Sequence, residues 1–173
     1  ASLDGQLESG RDRVIVVDWS GRATRSPARD SKDAIWIGLC DGAESQSYHR
    51  SRSDAEAFLR ARLAEGGRQL VGFDFPMGYP QGLARRLTGR DDARALHGWL
   101  ADRITDAPDN ANNRFDVAAA INRTLGGPGP FWGCPKARPR PGLPSLKTVD
   151  YPALGLAEKR RVERENPPAK PVW

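Results

Sequence analysis

Cysteine, histidine and methionine are scarce in this chain: two, two and one among 173 residues. Cys40 and Cys134 stand far apart with no CxxC pair, and only His49 and His97 could join them, so the sequence has no ligand set for a structural zinc ion. A disulfide between the two cysteines stays open on sequence alone. Long apolar runs are absent too. No stretch approaches the roughly 18 residues needed to span a bilayer. Ala1 to Gly10 is acidic and polar, which does not fit a secretory leader and reads as a disordered lead-in. Without a leader or a span, a reducing, cytoplasmic setting and no membrane partner are expected.

An apolar share of 38% suffices for a core, although the mean hydropathy of -0.63 is polar. The length suits a single domain over residues 1–173. Basic residues exceed acidic ones by 27 to 22, giving a net charge of +5, with arginine dominating lysine. Such an excess is compatible with nucleic acid or another phosphate-bearing ligand and equally with a solvated arginine-rich surface.

Val14-Ile15-Val16-Val17-Asp18 is an unbroken β-branched run and reads as a central strand buried on both faces. Ala34 to Cys40 reads as a second strand, Asp41-Gly42 as a hairpin turn, and Ser45 to His49 as a third, antiparallel strand. Ser53-Asp54-Ala55-Glu56 has the capping-box pattern, followed by a helical face of Ala55, Phe58, Leu59 and Leu63 that ends at Gly66-Gly67. Leu70 to Phe75 reads as a fourth strand, halted by Pro76. Leu96, Trp99, Leu100 and Ile104 mark one later helix, Phe115, Ala118, Ala119 and Ile121 another, and 157–165 a short charged one. Gly126 to Pro152 is too rich in glycine and proline for regular structure and is expected as an excursion from the core. The chain stops on Val172-Trp173 without a closing element, which suggests a piece of something longer.

The fold class expected is α/β, with antiparallel hairpin strands plus a parallel strand after a crossover helix. Parallel pairing of the first and fourth strands would bring their carboxyl ends to one sheet edge, where open α/β sheets bind ligands. Asp18 and Asp74 occupy corresponding places there. Neighbouring carboxylates repel, and a divalent cation is the usual reason for keeping them together. Read singly, each aspartate also suits a local turn role beside Ser20-Gly21 or Pro76-Met77-Gly78.

VIVVDWSG followed by LVGFDFPMGYP resembles a poorly characterised family of predicted nucleases with an RNase H-like fold. That family carries an aspartate on its first strand and a D-x-P-x-G-x-P turn after its fourth. The resemblance extends to Asn112-Asn113-Arg114-Phe115 and Phe131-Trp132-Gly133-Cys134-Pro135. It implies a metal-dependent phosphodiesterase in which Asp18 and Asp74 are catalytic residues holding Mg²⁺ or Mn²⁺. A third acid is part of such a set. Asp91, Asp92, Asp116, Glu158 and Glu163 are the candidates within the chain, and the family pattern would put it beyond Trp173. Ser20, Arg22 and Arg114 are the candidate substrate contacts.

Two other readings compete. The fold could serve as a non-catalytic binding module. Asp18-Trp19-Ser20-Gly21 with Thr24 also loosely matches the phosphate hairpin of actin-like and sugar-kinase phosphotransferases, whose second lobe this length cannot hold. Arg22, Arg25, Arg29 and Lys32, with Lys136, Arg138 and Arg140, form either a phosphate-contacting rim or solvated loop charge. Phe131-Trp132 could stack on a base or anchor the loop, and Trp19 is open in the same way. Cys134, in the loop, reads as the more exposed thiol but has no histidine near it. His49 and His97 have no constellation around them to make either a base.

Overall fold

A computed structural model of the protein describes residues 13–166 and 168–170. The expected lead-in over residues 1–10 and the chain end at Val172-Trp173 lie outside them. The chain is α/β, with a four-stranded mixed sheet and helices. Read from sequence as one domain, it divides into two compact units. Among the described residues, one comprises those up to Phe75 with Asp106–Ala111, the other Pro76–Thr105 with those from Asn112 onward.

The first unit holds β1 (Arg13–Asp18), β2 (Ile35–Cys40), β3 (Glu44–His49), α1 (Arg52–Ala64) and β4 (Gln69–Phe73). The sheet order is β3-β2-β1-β4; β1 pairs antiparallel with β2 and parallel with β4, and β2 pairs antiparallel with β3. Asp41-Gly42 makes the hairpin turn, with Gly42 at φ +105°, a conformation that costs glycine little and other residues much. The registers Val14↔Leu70 to Val17↔Phe73 align the exits of β1 and β4.

Only one face of this sheet is covered within the unit. Ile15, Val17, Ile35 and Ile37 pack with Ala55 and Leu59 of α1, and Phe58, Val71 and Phe73 fill in around them. The expectation that β1 is buried on both faces fails: Val16 is 57% exposed and its neighbour on β4, Leu70, 67%. A β-branched run is required for a strand buried on two faces, yet its composition does not say whether a second layer exists to cover it. The helix start also differs from expectation. Ser51 is the N-cap and its hydroxyl accepts from the Asp54 amide at 3.2 Å, while Ser53 turns to Ser51 and the Pro108 carbonyl. Two serines at near-equal spacing compete for one cap, and the residue with extended φ/ψ takes it.

Asp106–Ala111 joins this unit through Arg52 and Asn110. The Arg52 guanidinium pairs with Asp106 and donates to the carbonyls of Ser20, Arg22 and Asn110. Asn110 is 3% exposed and held at φ +75°. Its amide oxygen accepts from the Arg52 amide at 2.8 Å and its nitrogen donates to the carbonyls of Thr24 and Arg50.

The second unit contains α2 (Leu83–Thr88), α3 (Ala93–Ala101), α4 (Arg114–Thr124) and α5 (Arg161–Glu165). The chain reads as helical beyond Pro80 without bounds for α2, Ile104 lies past the end of α3, and the charged helix expected over 157–165 is confined to its last turn. Leu83, Leu96, Val117, Ile121, Leu125, Tyr151 and Leu156 form the core. Gly82 lies at φ +104°, where a Cβ would meet the Gly155 carbonyl at 2.8 Å, so no larger residue fits. Residues 126–152 hold no helix or ladder strand, only an isolated bridge between Arg140 and Leu143. They are packed nonetheless, with Cys134, Leu143 and Tyr151 buried in this unit. Asn122, fully buried, receives the Phe131 amide at 3.0 Å and donates to the carbonyls of Phe131 and Gly142.

Asn110 should be among the residues least open to substitution. Asn110→Gly keeps the left-handed backbone but strands buried polar groups, with an expected loss of about 2–4 kcal/mol. Asn110→Ala adds the cost of a Cβ at positive φ, about 1 kcal/mol more. Urea unfolding of both variants checks the size and the order, and equal stabilities would contradict the backbone argument.

Candidate functional site

The exits of β1 and β4 meet as the two strand-end aspartates require. The Asp74 amide donates to the Val17 carbonyl at 3.1 Å, extending the parallel ladder one residue beyond β4. This sets Asp74 beside Asp18, close enough for the two carboxyl groups to influence each other. Asp74 Oδ1 also accepts the Trp19 amide at 2.9 Å. The local turn role is therefore real for Asp74, which holds the chain where it leaves β1. Trp19 packs edge-on against Phe73 and Phe75, whose rings lie 4.9 Å apart. Trp19 thus serves as an anchor between the two strand exits.

Partial desolvation at the sheet surface, and then the Asp74 carboxyl beside it, raise the Asp18 pKa above its ordinary 3.8.

Asp18 lies on the open face of the sheet. Its antiparallel partner across β2 is Trp36, and the two line a depression of about 440 Å³ together with Asp30, Ser31, Lys32 and Gln46. The wall formed by residues 30–33 is tied at both ends. Trp36 Nε1 donates to the Ser31 carbonyl at 3.0 Å, and Ser20 Oγ donates to the Asp33 carbonyl at 2.7 Å. Trp36 also meets Tyr48 edge-on at 5.2 Å, and the Tyr48 hydroxyl donates to the Pro27 and Arg29 carbonyls. Of the expected substrate contacts, Ser20 spends its hydroxyl on this loop, and the Arg22 carbonyl is held by Arg52. Sequence reasoning missed Asp30, Trp36, Gln46 and Arg52. The pairing of Trp36 with Tyr48 follows from the hairpin register, which Asp41-Gly42 makes countable; the pairing of Trp36 with Asp18 spans the long connection between β1 and β2, and the Arg52 contacts are long-range, so neither leaves a local signal.

Arg114 belongs to the second unit, where it opens α4, bonds to the Asn112 side chain at 3.1 Å and stacks on Phe115. Asn113 stands at the N-cap but its side chain bridges the Thr105 amide and the Arg103 carbonyl instead of capping. Phe131 is an anchor, packed edge-on against Tyr79, and Trp132 packs against the same core. Cys134, expected as the exposed thiol, is 4% exposed and bonded to the Arg138 carbonyl, because proline-rich loops can pack densely without regular structure. Both cysteines are free. His49 is buried, bonded to Ser47 and packed at a tilt against Phe58, and burial lowers its pKa against a smaller opposing pull from Asp54. His97 is exposed on α3.

The third-acid candidates have local partners. Asp91 pairs with Arg85, Asp92 caps α3, Asp116 pairs with Arg140, Glu158 with Lys147, and buried Glu163 with Arg160. No group of three or more metal-capable side chains occurs among the described residues. No described helix is long and apolar enough to cross a membrane. Comparison with protein-family models, with curated proteins and with solved structures gives no match.

The raised Asp18 pKa has a stability consequence of definite sign. The folded chain binds this proton more tightly than the unfolded one, so stability falls as pH rises from about 3.8 through the folded value. Asp18→Asn removes that loss. Its stability relative to wild type should be greater at pH 7 than at pH 3.5, by a modest amount because both carboxyls are solvated. Urea unfolding at the two pH values measures the difference, and a gap independent of pH would show that the carboxyls do not interact.

Proposed function

We propose that the protein is a metal-dependent phosphodiesterase of RNase H-like type, acting on nucleic acid or a nucleotide-like substrate. The observation that carries this reading is the adjacent placement of Asp18 and Asp74 at the paired exits of β1 and β4. The mixed sheet, with two antiparallel pairs and a parallel β4 after α1, accords with such a fold.

The donor set suits a weakly held hard cation. With one Asp74 oxygen engaged by the Trp19 amide, the Asp18 carboxyl and the second Asp74 oxygen remain to face it. Mg²⁺ accepts one or two carboxylates when waters and substrate phosphates complete its shell. A bound Mg²⁺ or Mn²⁺ would supply water activation and charge stabilisation at the scissile phosphate. The chain's own part is to hold the two carboxylates at fixed spacing through Trp19 and the β1–β4 ladder, and to offer Lys32 as a phosphate-side charge.

A second reading, a binding module without hydrolytic activity, is favoured by the lack of a three-acid group among the described residues. Metal affinity separates the two. Calorimetric titration of Mn²⁺ should show weak binding that falls about tenfold or more in Asp18→Asn and in Asp74→Asn, the order of loss usual when a metal site is disturbed. If wild type and both variants titrate alike, the aspartates are turn residues and the hydrolase reading fails.

A further inference from the structure

We infer that the depression beside Asp18 is a subsite for one unpaired nucleobase, with Trp36 as its stacking platform and with preference for bases that present amino groups. The inference rests on the proposed phosphodiesterase reading for its substrate class, and on the first unit alone for its geometry.

The position comes from the sheet. Trp36 is the direct cross-strand partner of Asp18, and directly opposed antiparallel residues have Cβ atoms about 4.5–5.5 Å apart. A base resting on Trp36 therefore keeps its own phosphodiester within reach of the carboxylates. Gln46, paired with Gly38, lies two residues along β3 from the Trp36 partner Tyr48 and borders the same depression. At about 440 Å³ the space falls within the usual range for small-ligand sites, roughly 300–1,000 Å³.

The platform is preformed. The indole N–H of Trp36 is spent on the Ser31 carbonyl, which fixes the ring and leaves its π-surface as what it can offer a ligand. Tyr48 braces it from the side and is itself bonded to the loop backbone. Stacking on a held aromatic ring loses little conformational entropy and tolerates any base.

Selection comes from the rim. Asp18 and Asp30 are acceptors when ionised, and Gln46 both donates and accepts. The two carboxylates outnumber Lys32, so a free phosphate is a poor occupant, whereas a neutral ring bearing N–H donors is a good one. The amino group of cytosine matches an Asp30 acceptor; the carbonyl that thymine carries at the same place opposes it.

The test uses labelled single-stranded pentanucleotides of cytosine or of thymine, followed by fluorescence anisotropy at low salt in EDTA. The wild-type chain should bind both and prefer cytosine about fivefold, the lower end of a base-edge contact. Asp30→Asn, at an exposed position, should abolish the preference while raising affinity for thymine. Gln46→Ala, also exposed, should weaken cytosine binding. Trp36→Ala should weaken both ligands by about five- to a hundredfold, and Trp36→Phe should restore most of that loss. Absence of binding, or a preference unaltered in both Asp30→Asn and Gln46→Ala, would overturn the proposal. The Mn²⁺ titration separates the two ideas. If base preference persists while Asp18→Asn and Asp74→Asn bind Mn²⁺ as wild type does, the subsite stands and the metal reading falls. Loss of Mn²⁺ binding in those variants without any oligonucleotide binding means the reverse.

Discussion

The hydrogen bond from the Asp74 amide to the Val17 carbonyl carries the parallel pairing of β1 and β4 to its last rung, and the candidate site depends on that rung. A shift of one residue in this register would turn Asp74 toward the opposite face of the sheet, into the layer occupied by α1. The buried side chains guard against such a shift. Val17 is fully enclosed, and Phe73 packs beside it over the same helix, so a slip would trade apolar contacts for the solvation demand of a carboxylate. The pair is thus held in place by the hydrophobic face it does not belong to.

Repulsion between the two carboxyls opposes this arrangement, and several modest interactions offset it. Asp74 gains the Trp19 amide, Trp19 gains two aromatic neighbours, and solvent reaches both carboxyls. The sheet being open on that face matters here, because a second covering layer would make the ionised pair far more costly. The exposed Val16 and the exposed aspartates are two consequences of the same missing layer in this unit.

Irregular segments are ordered by buried polar side chains in both units. Asn110 and Arg52 bind Asp106–Ala111 to the loop that leaves β1, and Asn122 binds the backbone at Phe131 and Gly142 within residues 126–152. Each asparagine satisfies backbone groups that would otherwise be buried without partners, the role a β-ladder plays elsewhere. This is why a proline- and glycine-rich segment can carry buried Leu143 and Tyr151 without helix or strand.

Local chemistry alone made much of the first unit legible. The β-branched run of β1, the Asp41-Gly42 turn and the Ala55/Leu59 face of α1 each state their structure over a few residues, and together they place Asp18 and Asp74 at strand ends. Short-range pattern put the α1 cap at Ser53, two residues beyond Ser51, which takes it. Tertiary structure decided the rest. It determined that β1 is covered on one side only, that Trp36 and Asp30 border Asp18, that Cys134 is buried, and that the later acids pair with arginines and a lysine of their own unit or, in Asp92, cap a helix. Those outcomes turn on which distant segments share a surface. Such contacts are chosen by the summed burial and hydrogen bonding of the whole unit, and a local run of residues carries no record of them.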